Sequence, residues 1–281
     1  MKKILLCILV FVAAGYFVVM ETETGQDLFL DRLLSVMTQN QQTAPVDGLD
    51  VYVCGASSPL STTGNAQSCV FIIAGDRSFI VDTGPGSPSV IRRLGLPLNN
   101  LEAVLLTHFH GDHISALGDV NFNSWVAGRG KKLTVMGPEG VDLVVNGFNQ
   151  AYSLDSSYRT RHHGWDILPL EYSVMQSKTI EAGLVFEEDG LSIRAFRVDH
   201  SPIEPAVGYR FDYKGRSVAV SGDSIVTKDY REAVDGVDLL LADALSEVLV
   251  IKMSQALSAN GNDRTSKLIH DVLDYHASTT S

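Results

Sequence analysis

Three imidazoles and one carboxylate lie within six positions of this chain: His108, His110, Asp112 and His113. They directly follow the apolar residues 101–106, which predict a short buried strand. In an extended segment alternate side chains share a face, so His108 and His110 are expected to point the same way. The glycine after His110 permits a sharp turn, which directs Asp112 and His113 toward a second point nearby. Because zinc prefers neutral imidazole and carboxylate ligands, the sequence predicts a metal site rather than a histidine-rich surface loop.

The segment His-Phe-His-Gly-Asp-His at 108–113 resembles the HxHxDH signature of the metallo-β-lactamase superfamily. Four other segments resemble further motifs of this family in order and spacing: 79–84, 198–200, 207–210 and 218–223. The combination is most similar to the ribonuclease Z-like and phosphodiesterase branch, over roughly residues 51–244. The resemblance implies an α/β fold, a four-layer αββα sandwich that carries its metals at one end of the two sheets.

The resemblance also implies ligands for two metals: His108, His110 and His200 for the first, and Asp112, His113 and the bridging Asp223 for the second. Zinc is the expected ion, with manganese or iron as alternatives. Asp82, at the end of a predicted strand, would support the metal loop as a buried carboxylate. Asp112 would orient a hydroxide activated by the two metals. His276 lies in a segment similar to the family's HSS or HAST loop and would protonate the leaving group.

In this family a helix, a strand and a last metal-ligating histidine follow that loop, whereas this chain ends at Ser281. We therefore expect a C-terminally truncated fold that lacks its last helix and strand, with the second metal site incomplete. His270 lies inside a predicted helix over 262–275, so it is interpreted as a surface or packing residue. Asp243 stands near where relatives often carry histidine or glutamate.

The N-terminal segment predicts export. Two lysines precede residues 4–20, which carry no charge, and acidic residues follow. A signal peptide and a membrane anchor both fit residues 1–20, and the length weakly favours an uncleaved anchor. The protein is therefore expected in the periplasm or on the inner membrane, attached through residues 4–20 if uncleaved. Residues 21–46 are interpreted as a helix and a linker, and residues 47–281 as the metallo-β-lactamase-fold domain.

The charge and the predicted hairpin bear on the substrate. The formal net charge of −11 disfavours a polyanion, because nucleic-acid affinity depends on neutralising phosphates. Bacterial ribonuclease Z carries a long flexible arm that clamps transfer RNA, between the motifs that 207–210 and 218–223 resemble. This chain instead predicts a tight hairpin over 211–216. We therefore expect a small anionic ester as the substrate rather than transfer RNA, and a homodimer, since relatives are often dimers.

Residues 151–170 combine cationic and aromatic side chains within an acidic chain. We interpret them as a loop over the metal cleft, in which four residues bind an anionic substrate group: Arg159, Arg161, His162 and His163. A solvated loop or a dimer contact explains the same composition equally well.

Two cysteines flank a predicted hairpin loop. Cys54 ends one predicted strand and Cys69 begins the next, and an exported protein permits a disulfide between them. The alternative is two small buried apolar side chains. Neither cysteine is expected to bind metal, because they lack the CxxC spacing.

Hydrophobic patterning predicts further elements: strands over 49–53, 70–73, 132–136, 191–199, 217–221 and 237–242, and helices over 27–38, 88–94 and 138–148. The strand over 237–242 is expected to be buried. Together these features predict an exported metal-dependent hydrolase of phosphodiesters or related anionic esters. The alternatives are an arylsulfatase-like or carboxylic ester or lactone hydrolase on the same metals. A catalytically inactive, membrane-anchored binding module also stays open, because the last ligand is missing.

Overall fold

The computed structural model describes residues 12, 15–37, 47–60 and 64–279. The chain divides into two compact units, Met1–Ala44 and Pro45–Ser281. In the first unit, helix α1 spans Glu23–Met37, which covers most of the predicted helix. The predicted export segment and the linker lie mostly outside the described residues, so both stay predictions. Within the described part of the chain, no helix is long and apolar enough to cross a bilayer.

In the second unit, a mixed sheet contains six strands in the order β1-β2-β3-β4-β5-β6. Its strands are β1 (Leu49–Gly55), β2 (Cys69–Ala74), β3 (Arg77–Val81), β4 (Leu101–Leu105), β5 (Thr134–Gly137) and β6 (Gln176–Thr179). The first three strands pair antiparallel, as the predicted hairpin requires. From β3 onward the neighbours are parallel, so the loops after β3 and β4 open at the same edge.

The second sheet is also mixed and has the order β11-β10-β9-β8-β7. Its strands are β7 (Gly183–Glu188), β8 (Leu191–Arg197), β9 (Val207–Tyr213), β10 (Arg216–Val220) and β11 (Leu239–Leu241). The predicted tight hairpin is confirmed, because Tyr213 pairs with Arg216 across a turn of two residues. Lys214 and Gly215 both have a positive φ, 48° and 78°, which is the conformation that a tight hairpin turn needs.

The helices that flank the two sheets are α2 (Ser87–Arg93), α3 (Gly111–Ile114), α4 (Leu117–Val126), α5 (Val141–His163), α6 (Lys228–Ala233), α7 (Glu247–Ala259) and α8 (Asp263–Asp271). A further short parallel pair joins β12 (Leu245–Ser246) to β13 (Ser278–Thr279).

The main core lies between the two sheets. Phe79 of β3 and Phe211 of β9 are fully buried there, with ring centroids 5.9 Å apart. On its other face the first sheet packs against α2, α4 and α5. The second sheet packs against α6 through Phe196 and Tyr230. This arrangement of helices, sheet, sheet and helix confirms the predicted αββα sandwich.

Helix α5 corrects the prediction for residues 138–170. It runs for 23 residues through the segment predicted as a loop, and ends at Gly164, whose φ is 99°. Over its second half the buried positions are Ser156 and Thr160, and the Thr160 hydroxyl donates to the backbone carbonyl of Leu168. Because the buried face is polar there, the sequence shows no helical hydrophobic period.

The end of the second sheet differs from the prediction in two further ways. Strand β11 was predicted to be buried, but it is an edge strand, and Leu239 and Leu240 are 46% and 38% exposed. An apolar run at a sheet edge has the same sequence pattern as a buried strand. Helix α7 was not predicted, because apolar side chains occur around most of its circumference, exposed Val248 and Leu249 included. Helix α8 is confirmed, and His270 on it is exposed as expected.

Cys54 and Cys69 form a disulfide that joins β1 to β2, and both side chains are 1% exposed. The bridge closes the loop that carries residues 55–68. It therefore decides between the two interpretations of these cysteines in favour of the disulfide.

We expect replacement of both cysteines (Cys54→Ala with Cys69→Ala) to lower the free energy of unfolding by about 3 kcal/mol. This is the entropy of closing a loop with a sequence separation of 15 residues. Denaturant titration of the oxidised chain, the reduced chain and the double variant measures the effect. The reduced chain is the matched control, since it keeps both side chains. Equal stability of the oxidised and reduced chains would contradict the prediction.

Candidate metal centre

Four of the six predicted metal ligands lie in segments that follow the end of a strand. His108 and His110 lie between β4 and α3, where the chain leaves the first sheet. His200 follows β8 and Asp223 follows β10, so the second sheet contributes from its own end. The remaining two ligands, Asp112 and His113, lie within the short helix α3.

The structure brings all six residues together in two overlapping clusters: His108, His110, His200 and Asp223 in the first, and Asp112, His113 and Asp223 in the second. Within each cluster the candidate ligand atoms lie within 4.8 Å of one another. Oδ2 of Asp223 lies 3.2 Å from Nε2 of His113 and 3.9 Å from Nε2 of His108. Asp223 therefore occupies the shared position that the resemblance implied for a bridging carboxylate.

The chemistry of His108 fits a metal ligand. The side chain of His108 is only 1% exposed, and its buried Nε2 atom has no hydrogen-bond partner. A buried polar atom without a partner is costly unless another group binds it. Burial, together with the nearby charge of His113, lowers the pKa of His108 to about 2. His108 is therefore neutral, which is the form of imidazole that binds a metal ion.

Asp82 anchors the metal loop through hydrogen bonds to Thr107 and His113. Its carboxylate accepts hydrogen bonds from the backbone N–H and the hydroxyl of Thr107, at 2.9 and 2.8 Å. Oδ2 of Asp82 also lies 2.8 Å from Nδ1 of His113. Burial alone would lower the pKa of His113, but attraction to Asp82 and hydrogen bonding to Asp223 outweigh it and raise this pKa. Asp82 thus directs Nε2 of His113 toward the second cluster, as predicted from its place after β3.

His200 is oriented by the backbone. Its Nδ1 atom lies 2.9 Å from the backbone carbonyl oxygen of Tyr275, so Nδ1–H donates a hydrogen bond to this oxygen. This tautomer leaves Nε2 unprotonated, 3.5 Å from Nδ1 of His110. Burial lowers the pKa of His200, which keeps the ring neutral. The sequence carries no signal for this contact, because a backbone acceptor can belong to any residue type.

Tyr209 fixes the strand that leads into the metal loop. It is fully buried, and its hydroxyl donates to the backbone carbonyl of Leu106 at 2.7 Å. Burial raises the pKa of Tyr209 well above its usual range, so the hydroxyl stays protonated and keeps donating. The sequence identified the Gly-Tyr-Arg segment only as a family motif. The hydrogen bond from Tyr209 to Leu106 shows that its tyrosine anchors the start of the metal loop.

His276 pairs with Asp243 at the edge of the clusters. Nδ1 of His276 lies 2.7 Å from Oδ2 of Asp243, while its Nε2 lies 3.8 Å from Oδ2 of Asp223. Burial alone would lower the pKa of His276, but the hydrogen bond to Asp243 and the charge of Asp223 outweigh it and raise this pKa. Asp243 had no predicted role, although it was noted to stand near where relatives often carry histidine or glutamate. It is the partner that sequence reasoning missed.

The clusters open onto one cavity of about 810 Å³. The residues of the metal centre that line it are His110, Asp112, His113, Asp223, Asp243 and His276. A volume of this order accommodates a small organic ligand.

The four cationic residues predicted to bind substrate do not line this cavity. Arg159 and Arg161 lie in the last turns of α5, where Nε of Arg159 bonds Asp155 at 2.8 Å and its guanidinium covers the ring of Phe122. His162 and His163 are exposed at the end of the same helix. The interpretation of this segment as a loop over the cleft is therefore replaced by a helix with local contacts, and the geometry lends no support to a substrate contact.

The sequence matches a known family over most of the folded unit. Residues 77–261 match the family described as Beta-lactamase superfamily domain. Ribonuclease Z of Mycobacterium bovis is 31% identical over 233 residues, covering 82% of this chain and 78% of that protein. Ribonuclease Z of Mycolicibacterium gilvum is 32% identical over 233 residues, with coverage of 82% and 77%.

Solved structures share the fold at lower sequence identity. The short form of human tRNase Z aligns with a TM-score of 0.55 and 17% identity, over 82% of this chain and 93% of that one. The metallo-beta-lactamase fold protein YhfI from Bacillus subtilis aligns with a TM-score of 0.53 and 19% identity, over 72% of each chain.

Proposed function

Because the chain belongs to the metallo-β-lactamase superfamily, in its ribonuclease Z-like branch, we propose that it hydrolyses phosphodiesters or closely related esters of small molecules. The observation that carries this proposal is the convergence of the two clusters on a single cavity, with Asp223 common to both. The similarity to ribonuclease Z supports the reaction class, and the volume of the cavity supports a small substrate.

The residues present fit two zinc ions. His108, His110 and His200 would hold one ion, Asp112 and His113 would hold the other, and Asp223 would be available to both. When bound, such ions polarise the scissile ester and lower the pKa of a nearby water. The unpartnered Nε2 atom of His108 is the observation that supports binding, since nothing in the described part of the chain satisfies it.

The remaining chemistry is a proton transfer. Hydrolysis adds the hydroxyl of water to phosphorus and breaks the bond to the leaving oxygen, which takes up a proton. His276 donates Nδ1–H to Asp243, and its raised pKa favours the form that also carries a proton on Nε2. Because His276 lines the cavity, this second proton can pass to the leaving oxygen, and the ring then takes up the proton that the attacking water releases. Asp82 and the Tyr275 carbonyl keep their imidazoles in place without touching the substrate. Asp112 lines the cavity beside Asp223 and orients the attacking water.

Two features support the expectation that transfer RNA is not the substrate. The turn between β9 and β10 consists of Lys214 and Gly215 alone, so these strands carry no arm. None of the described residues around the cavity is Lys or Arg, the side chains that recognise RNA phosphates.

Metal content and hydrolysis test the proposal together. We expect the full chain, loaded with zinc, to bind two ions and to hydrolyse bis-p-nitrophenyl phosphate, with activity lost on chelation and restored by zinc. The control is the same preparation after chelation without added metal. One ion or none, with no turnover, would contradict the proposal and favour a binding module.

His276→Ala is expected to lower kcat/KM most for esters whose leaving group needs a proton to depart. With methyl phenyl phosphate the variant should lose about 100-fold in kcat/KM, the usual contribution of a general acid. With methyl p-nitrophenyl phosphate the loss should stay below about 10-fold, because p-nitrophenolate leaves without a proton. Asp243→Asn keeps the imidazole and should show a smaller loss of the same kind. Equal losses on both esters would show that His276 has only a structural role.

A further inference from the structure

Apolar residues line part of the cavity, in addition to the residues of the metal clusters. We define the apolar wall as Val53, Leu60 and Leu240, three residues that line the cavity and are 52%, 37% and 38% exposed. They come from β1, from the loop after it, and from the edge strand β11. Large apolar side chains left exposed together, rimmed by polar groups, mark binding surfaces.

The charges around the cavity restrict what can bind there. Among the described residues that line it, none is Lys or Arg, whereas Asp112, Asp223 and Asp243 are carboxylates. A phosphate away from the metal clusters would find no Lys or Arg side chain to offset its charge. The cavity therefore favours a substrate whose only anionic group lies at the metal clusters.

The positions of these groups point to one kind of substrate. We infer that the cavity selects an ester with a single charged group at the metal clusters and an alkyl or aryl group against the apolar wall. This inference rests on the proposed function and narrows it, because it excludes substrates whose second substituent is charged or strongly polar. Transfer of apolar surface from water onto the wall supplies the selectivity.

The disulfide helps to hold this wall in place. Val53 immediately precedes Cys54, and the bridge to Cys69 closes the loop that carries Leu60. Leu240 is held by the second sheet, because it pairs with Ala219 of β10. The apolar wall is thus attached to both sheets, so an apolar substituent meets a surface that is formed before the substrate binds.

A homologous series of esters tests the inference. With methyl, butyl and octyl p-nitrophenyl phosphates the leaving group is constant, so any trend reports only the second substituent. We expect kcat/KM to rise about 2- to 4-fold per methylene while the chain contacts the wall, in line with the transfer of a methylene from water. From methyl to butyl this amounts to about 10-fold or more.

Two variants locate the effect. Leu60→Asn should flatten the dependence on chain length, because it replaces apolar surface on the wall with an amide. Leu268→Asn is the matched control: Leu268 is 58% exposed on α8 and does not line the cavity, so the dependence should be unchanged. A dependence that is the same in both variants would overturn the assignment of the wall.

A binding measurement separates this inference from the proposed function. Calorimetric titration of the zinc-loaded chain with methyl-, butyl- and octylphosphonate gives dissociation constants that need no turnover. We expect the dissociation constant to fall with chain length. If the esters are hydrolysed but neither kcat/KM nor the dissociation constant depends on length, the inference fails while the proposed function stands. If the dissociation constant falls with length but no ester is hydrolysed, the proposed function fails and the inference stands.

Discussion

Asp223→Asn is expected to abolish most metal binding and to lower kcat/KM for ester hydrolysis by at least about 10³-fold. The loss of a single group that stabilises the transition state electrostatically already lowers kcat by about 10²- to 10³-fold. Asp223 is the only residue common to both clusters of predicted ligands in the described part of the chain. Its Oδ2 atom faces Nε2 of His113 at 3.2 Å and Nε2 of His108 at 3.9 Å. An asparagine keeps the shape but removes the charge, and its amide nitrogen cannot share a metal ion. Both sites should therefore weaken together.

The measurement for Asp223→Asn is zinc stoichiometry by elemental analysis, combined with kcat/KM on bis-p-nitrophenyl phosphate. Asp212→Asn is the matched control, because Asp212 lies on the same sheet and pairs with Arg210 outside the metal centre. Circular dichroism of both variants establishes that each is folded. A folded Asp223→Asn chain that still holds two zinc ions would contradict the bridging role.

Asp82→Ala is expected to lower the free energy of unfolding by about 3–5 kcal/mol, the usual cost of breaking a buried ionic pair. The change leaves the N–H and the hydroxyl of Thr107 and Nδ1 of His113 without their acceptor. Asp82 is 1% exposed, so water cannot replace the carboxylate. Its φ of 58° adds backbone strain for alanine, because the left-handed region favours Asp and Asn over residues with no short polar side chain.

The chain offers a control that separates the two causes. Asp189 has a similar φ of 48°, but its side chain is 80% exposed. Asp189→Ala therefore carries the backbone strain, and the loss of a surface ion pair with Arg77 adds little. Denaturant titration should show a much smaller destabilisation for Asp189→Ala than for Asp82→Ala. Equal effects of the two substitutions would mean that the hydrogen bonds of Asp82 contribute nothing measurable.

The parts of the site that the sequence predicts are those set by local spacing. His108, His110, Asp112 and His113 are close in the sequence, and one turn after a strand is enough to bring them together. His200 and Asp223 come from separate strands of the other sheet, and spacing alone cannot show that they meet the first four. For them the resemblance to a known family was needed.

The parts that the sequence does not predict depend on contacts with the backbone or on burial. Tyr275 contributes a carbonyl to His200, and Tyr209 contributes a hydroxyl to the carbonyl of Leu106, so neither partner is marked by a residue type. Composition also led to a wrong prediction at α5, where Arg159 and its neighbours suggested a substrate loop. A helix whose buried face is polar and whose exposed face is cationic has the same composition as a solvated loop.

The carbonyl of Tyr275 that orients His200 belongs to the same short segment as His276, at the far end of the chain from the metal loop. Docking of this segment and occupancy of the first metal site are therefore thermodynamically linked, because each favours the same orientation of His200. By reciprocity, the free energy that docking adds to metal affinity equals the free energy that the metal adds to docking. Metal affinity thus reports on the C-terminal segment, and the order of that segment reports on the metal.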